Sequence, residues 1–141
     1  MSGPLLPARG RHQPFDALVV GRANLDLYPV PAGTKTRDAA QFEADLGGSA
    51  ANIAVAMTRV GASGALAAPV SDDPVGQAVK ARLAAYGIHH IEGGAVPPGA
   101  RTSLAIAETR PEGSETVIYR NGAADLALRA EDLAPALSQA A

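Results

Sequence analysis

Asn24 and Asp26 stand two residues apart at the close of an apolar run, Val19-Val20-Gly21-Arg22-Ala23-Asn24-Leu25-Asp26. Alternate side chains of an extended chain share a side, so this amide and this carboxylate face the same way. A carboxylate accepts from two hydroxyls, and an amide both donates and accepts, which is the equipment for reading a polyol. Downstream, Leu46-Gly47-Gly48-Ser49-Ala50-Ala51-Asn52-Ile53-Ala54-Val55-Ala56 runs a glycine pair into a helix whose first turn carries Asn52. Glycines let a ligand approach the backbone, and the unpaired N–H groups of a helix start bind hydroxyl or anionic oxygens. Each segment alone has a plainer reading: Asp26 as a turn former, and Gly47-Gly48 as a tight turn with Ser49 as N-cap. Together the segments predict a sugar pocket.

Other polar groups point to less. Asp72 and Asp73 precede Pro74, an arrangement that caps a helix and places negative charge near its positive end more simply than it binds a metal. His89-His90 has no carboxylate or cysteine at ligand spacing and reads as a surface strand end. The sequence assigns no metal site. Arg101 and Arg120 begin and end an extended segment, where a surface charge pair is the plain account.

Positioning these groups requires alternating strands and helices. Residues 1–14 lack periodicity and read as a disordered leader, with folding beginning near Phe15. Ala17 to Val20 is a strand of the kind buried on both faces, and Tyr28-Pro29-Val30-Pro31-Ala32-Gly33 breaks the chain after it. Lys35 to Leu46 is a polar extended piece anchored by Phe42. A helix from Gly48 to Val60 stops at Gly61, Ala65 to Val70 forms the next strand, and Val75, Val79 and Leu83 make one face of a second helix ending near Gly87. Strand, helix, strand, helix implies a parallel α/β sheet with right-handed crossovers. Arg101 to Thr109 and Glu115 to Arg120 form a hairpin around the linker at 110–114, and Arg129 to Ala141 is helical.

Composition bounds the rest. A chain of 141 residues with 47% apolar content suits one domain, but aromatics are 4% and tryptophan is absent. Its alanine- and glycine-rich core therefore buries little area per residue at roughly 25 cal/mol per Å², and the chain should lean on a neighbour. A net charge of −2 from 12 basic and 14 acidic residues excludes a general nucleic-acid or acidic-membrane binder. No apolar run approaches the ~20 residues that span a bilayer. The absence of cysteine removes disulfides, thiolate metal sites and cysteine nucleophiles, and with no charged-then-apolar leader it favours the cytoplasm.

Gly47, Gly48, Ala50, Asn52, Ala54 and Gly61, with Asn24 and Asp26 upstream, resemble the amino-terminal half of the ribokinase-like carbohydrate kinases, the PfkB family. Ser71 stands where that family's signature carries a glycine, a local turn variation. The resemblance implies a doubly wound parallel sheet with a small β-lid, here Lys35 to Leu46 and the hairpin at 101–120. It implies a sugar substrate, ATP and Mg²⁺, and pairing of two copies through the lid. It implies sugar contacts at Asn24, Asp26, Gly47, Gly48 and Asn52. The block Tyr119-Arg120-Asn121-Gly122-Ala123-Ala124-Asp125-Leu126-Ala127-Leu128 is similar to one in kinases of acidic sugars, above all those acting on 5-dehydro-2-deoxygluconate in inositol catabolism, which makes Arg120 a carboxylate reader. Kinases of 2-keto-3-deoxygluconate, ribose or fructose are the neighbouring alternatives. The family's Gly-Ala-Gly-Asp motif, which supplies the anion hole and catalytic base, does not occur in these 141 residues, and the ATP groove belongs to the same missing half. The resemblance thus implies a sugar-binding half without catalytic or nucleotide-binding residues of its own. A non-catalytic module that binds a sugar acid or a partner protein is the competing expectation.

Overall fold

The computed structural model describes residues 14–138 and 140, so the leader expected at 1–14 lies outside the described residues except for Pro14. Two sheets share one core. The first is parallel, in the order β1 (Ala17–Val20), β4 (Gly64–Ala67), β5 (His89–Ile91). The second is mixed, in the order β3 (Gln41–Gly47), β2 (Asn24–Val30), β6 (Leu104–Arg110), β7 (Gly113–Tyr119). In it β2 runs antiparallel to β3 and parallel to β6, and β6 and β7 form a hairpin. The α/β class implied by the sequence is what the chain adopts, with the second sheet as the lid.

Helix α1 (Ser49–Arg59) packs on β1 and β4, while α2 (Pro74–Ala85) packs on β5 and also on β2 and β3. That second contact joins the sheets. Leu25 and Leu46 of the lid are buried together with Val79 and Leu83 of α2, Leu66 of β4 and Ala51 and Ala54 of α1. Much of this core is alanine, which lets helix and strand backbones approach closely at the cost of little apolar area per residue. A buried polar clasp fastens the same seam. The Ser71 N–H donates to Thr102 Oγ1 at 3.0 Å, the Thr102 N–H donates to Ser71 Oγ at 2.9 Å, and the two hydroxyls lie 2.7 Å apart. Ser71 is thus the tie between the loop after β4 and the entry to β6, a role its sequence context does not announce.

Several boundaries differ from the sequence expectation, each for a local reason. The segment expected to break the chain at Tyr28 is the second half of β2, which continues to Val30. Pro29 is tolerated because β6 pairs only with Leu25 to Leu27, leaving Pro29 a strand neighbour on the β3 side alone. The polar piece from Lys35 is a short 3₁₀ turn at Thr36–Asp38 followed by β3. The strand expected to reach Val70 stops at Ala67. The hairpin turn is tighter than the linker at 110–114, since Arg110 pairs with Gly113 across Pro111 and Glu112. Arg110 holds that turn by ion pairs to Glu108, Glu112 and Glu115 at 3.4, 3.2 and 3.0 Å. The final helix, α3 (Ala130–Leu137), is shorter than expected and contains Pro135 near its end. His89 stacks on Phe15 with ring centroids 4.8 Å apart, and His90 Nε2 lies 2.7 Å from the Ala68 carbonyl.

Asp73 caps α2 as expected, its carboxylate accepting from the Gly76 N–H at 2.9 Å with Pro74 in the first turn. Burial by itself raises the Asp73 carboxyl, but the Gly76 and Val75 N–H groups, the Ser71 side chain and Arg101 together bring it below its ordinary value. A depressed carboxyl contributes stability above its unfolded-state pKa and loses it as pH falls through the folded value. Asp73→Ala should therefore cost about 1 kcal/mol of stability at neutral pH. Urea unfolding across pH should show the gap to the parent chain closing in acid, and a gap independent of pH would show that the cap acts without its charge.

Candidate functional site

The register of the lid sheet gathers the polar residues found in the sequence. Asn24 lies opposite Gly47, and Asp26 lies opposite Asp45. Side chains directly opposite one another share a face, so Asn24, Asp26, Gly47 and Asp45 lie on one side of the sheet and Leu25, Leu27 and Leu46 on the other. Continuing across β6 and β7, Asp26 is level with Ala105, and Ala105 is level with Ile118. Ala105 and Ile118 thus belong to the same surface, a placement invisible without the register. The site lies where β1 has ended and the chain enters β2, at the carboxyl end of a parallel strand, where open α/β sheets bind ligands.

Asp26 is its centre. Asn24 Nδ2 donates to Asp26 Oδ1 at 2.5 Å, and the Tyr28 hydroxyl donates to Asp26 Oδ2 at 3.2 Å. Each carboxylate oxygen therefore has one donor from its own strand and keeps lone pairs for others. Gly47 makes room for the group: a Cβ there would lie 2.1 Å from Asp26 Oδ1 and 2.4 Å from Oδ2. Gly48 is required for two reasons. Its φ of +99° is a conformation that side chains disfavour, and a Cβ there would lie 2.4 Å from the Arg22 carbonyl oxygen and 3.1 Å from Asn24 Oδ1.

Asn24 is fully buried. Its Oδ1 is a buried acceptor with no hydrogen-bond partner among the described residues. The amide expected to read hydroxyls thus holds the carboxylate through Nδ2 and keeps Oδ1 without a partner. Gly48, not Ser49, is the N-cap of α1, and no side chain caps that helix. The first turn of α1 carries no acidic residue, and the Ala51 N–H is spent on the Arg22 carbonyl at 3.3 Å. Asn52 is exposed on α1 and lines a hollow of about 400 Å³ with Asp45, Arg59 and Tyr86. Among the described residues no hydrogen bond links Asn52 to Asp26; Asp45, level with Asp26, shares the hollow with Asn52.

Arg120 and Arg101 do not pair with each other. Arg101 lies 4.0 Å from Asp73, and Arg120 grips the buried Asp125 with Nε at 2.7 Å and Nη2 at 2.5 Å from Oδ2. Ser103 Oγ donates to the other Asp125 oxygen at 3.2 Å. Nη1 of Arg120 makes none of these contacts, and the side chain is 47% exposed, so one edge of the guanidinium faces outward. Sequence reasoning singled out Arg120 but missed Asp125, whose side chain is 2% exposed and would be left as an unpaired buried charge without it. A larger hollow, about 510 Å³ and lined by Pro97, Pro98, Gly122, Leu126 and Arg129 among others, does not have Asp26 in its wall. The candidate site rests on its polar geometry, not on an enclosed volume.

These features coincide with a known family. The model of the pfkB family carbohydrate kinases matches residues 15–141. The chain belongs to that family. It is 41% identical over 125 residues to 5-dehydro-2-deoxygluconokinase of Photobacterium profundum, covering 88% of this chain and 38% of that protein. It is 36% identical over 115 residues to fructokinase-1 of Zea mays, covering 80% of this chain and 35% of that protein. Its fold is similar to that of a fructokinase from Xylella fastidiosa, with a TM-score of 0.69, 28% identity, and coverage of 85% of this chain and 38% of the other. A PfkB protein from Polaromonas sp. JS666 shares the fold with a TM-score of 0.73 at 20% identity, covering 87% of this chain and 41% of its own. The chain therefore spans about two fifths of the length of such relatives.

Among the described residues no group of three histidine, cysteine or acidic side chains is placed to hold a metal ion. No described helix is long and apolar enough to cross a membrane. Gly47→Ala tests the centre of the site. Its Cβ must displace the Asp26 carboxylate, so the substitution should destabilise the chain by about 1–3 kcal/mol. Most of that loss should vanish when Asp26→Ala is already present. A double-mutant cycle by chemical unfolding measures the coupling, and additive effects would mean that the carboxylate does not occupy the space above Gly47.

Proposed function

We propose that this chain supplies the sugar-binding part of an ATP-dependent carbohydrate kinase acting on 5-dehydro-2-deoxygluconate. The observation that carries the reading is the Asp26 carboxylate, seated over Gly47 with one donor on each oxygen and its remaining lone pairs available to ligand hydroxyls. The sugar-acid class is supported by the likeness to 5-dehydro-2-deoxygluconokinase and by the outward edge of Arg120. β7 lies two strands from β2, on the order of 10 Å at ordinary strand spacing. An extended six-carbon acid with its hydrogen bonds fills that span, hydroxyls over β2 and carboxylate toward Arg120. Fructose is the second reading, favoured by the likeness to fructokinases and by the neutralisation of Arg120 by Asp125.

In phosphoryl transfer the chemistry is positioning and neutralisation of developing charge. This chain's residues do the first part: Asp26 fixes the sugar's hydroxyls, and Ala105 and Ile118 offer an apolar floor beside them. ATP with Mg²⁺ is the phosphoryl donor and enters as a co-substrate. Phe42, Val117 and Tyr119, exposed on the opposite lid face, support pairing of two copies there.

The 141-residue chain alone should release no sugar-dependent ADP in a coupled assay. In a longer form carrying the remainder of the family domain, Arg120→Lys keeps a cation beside Asp125 but loses the planar fork. It should weaken 5-dehydro-2-deoxygluconate about tenfold and leave fructose nearly unchanged. Equal losses for the two substrates would make the Arg120–Asp125 pair structural and move the assignment to a neutral sugar. Turnover by the short chain that disappears in Asp26→Ala would overturn the division of labour.

A further inference from the structure

We infer that Tyr28 is a positioning residue for Asp26, fixing through its hydroxyl the carboxylate oxygen that Asn24 does not hold. The inference rests on the sugar-site reading of Asp26. Asn24, Asp26 and Tyr28 occupy alternate positions of β2, so all three side chains lie on one face of the sheet. The amide takes Oδ1 and the phenol takes Oδ2, which leaves the carboxylate little freedom to rotate about its Cβ–Cγ bond. Gly47 beneath it supplies the space but no hydrogen bond from a side chain. A ligand meeting such a group finds its acceptors already aimed and orders nothing on binding, the usual benefit of preorganisation.

Packing alone does not explain the hydroxyl. Tyr28 is half-buried, and phenylalanine would cover the same strand. The contact also leaves an electrostatic mark: burial raises the Tyr28 phenol above its ordinary value, and the negative charges of Asp26 and Asp45 raise it further. The charged groups around it are Asp26 on its own strand and Asp45 and Glu43 on β3, with Glu43 directly opposite. On the other flank β6 pairs with β2 only as far as Leu27, opposite the uncharged Ile106.

The test has a spectroscopic and a binding arm. Ring-labelled tyrosine in the 141-residue chain gives three resonances, assigned to Tyr28, Tyr86 and Tyr119 by substitution. Asp26→Asn should lower the Tyr28 titration midpoint toward that of an ordinary phenol while Tyr86 and Tyr119 stay put and report an intact fold. A Tyr28 midpoint indifferent to Asp26→Asn overturns the contact and the inference with it. In the binding arm fructose and 5-dehydro-2-deoxygluconate are titrated into the chain. Tyr28→Phe should weaken both by a similar factor, about three- to tenfold, because both present hydroxyls to Asp26. If Tyr28→Phe binds as the parent does while Asp26→Ala loses binding, Tyr28 positions nothing and the sugar site stands. If Asp26→Ala binds as the parent does, or the parent binds neither sugar, the sugar-site reading fails and the inference falls with it.

Discussion

A carboxylate set against a bare backbone is the constraint around which this chain is arranged. Asp26 projects from the middle strand of the lid into the space a side chain at Gly47 would fill, and that fixes what its neighbours can be. Gly47 must lack a Cβ, Gly48 must turn the chain into α1 without touching Asn24, and Asn24 must be buried to reach the carboxylate from behind. The opposed Asp45 adds a second negative charge across the strand pair, a juxtaposition that costs stability unless something answers it. Donors from Asn24 and Tyr28 answer for Asp26, and the Leu46 N–H at 2.7 Å answers for Asp45. One buried acceptor, Asn24 Oδ1, is left without a partner among the described residues, and the proposed sugar site puts a ligand hydroxyl within its reach.

The lid is held where this geometry works by the core shared with α2. Leu25 and Leu46 alternate with Asp26 and Asp45 on the same two strands, so one face carries the carboxylates while the other is buried against Val79 and Leu83. A one-residue slip of β2 would exchange the faces, and the apolar contacts forbid it. The Ser71–Thr102 clasp and the Arg120–Asp125–Ser103 group set the entry and exit of the β6–β7 hairpin. They fix the height at which Ala105 and Ile118 stand beside Asp26.

The fold class and the local patterns are legible in the sequence, and the long-range pairings are not. Alternation of Asn24 and Asp26 and the glycine pair before a helix are local patterns, and local patterns survive without coordinates. The helix cap at Asp73 and the apolar face of Val79 and Leu83 were legible for the same reason. What escaped depends on partners far along the chain. The prolines of Tyr28-Pro29-Val30-Pro31 read as a break because the sequence does not say that β6 stops short of Pro29. With β2 cut there, Tyr28 loses its place beside Asp26, although it is one alternation beyond it. Ser71 found its use in Thr102, and Arg120 found Asp125 across an irregular turn. Ser49 was the obvious cap by type, yet Gly48 took the position because the approach to Asn24 and Arg22 left no room for a side chain.

The central claim is that the polar face of the lid sheet, centred on Asp26, is where this chain meets a sugar. Amide shift mapping of the ¹⁵N-labelled 141-residue chain during addition of 5-dehydro-2-deoxygluconate tests it most directly. The largest changes should fall on Asp26, Gly47, Gly48, Ala105 and Ile118 and on the Asn24 side-chain amide. Changes confined to the hollow between Pro97 and Leu126, with the Asp26 face silent, would contradict it.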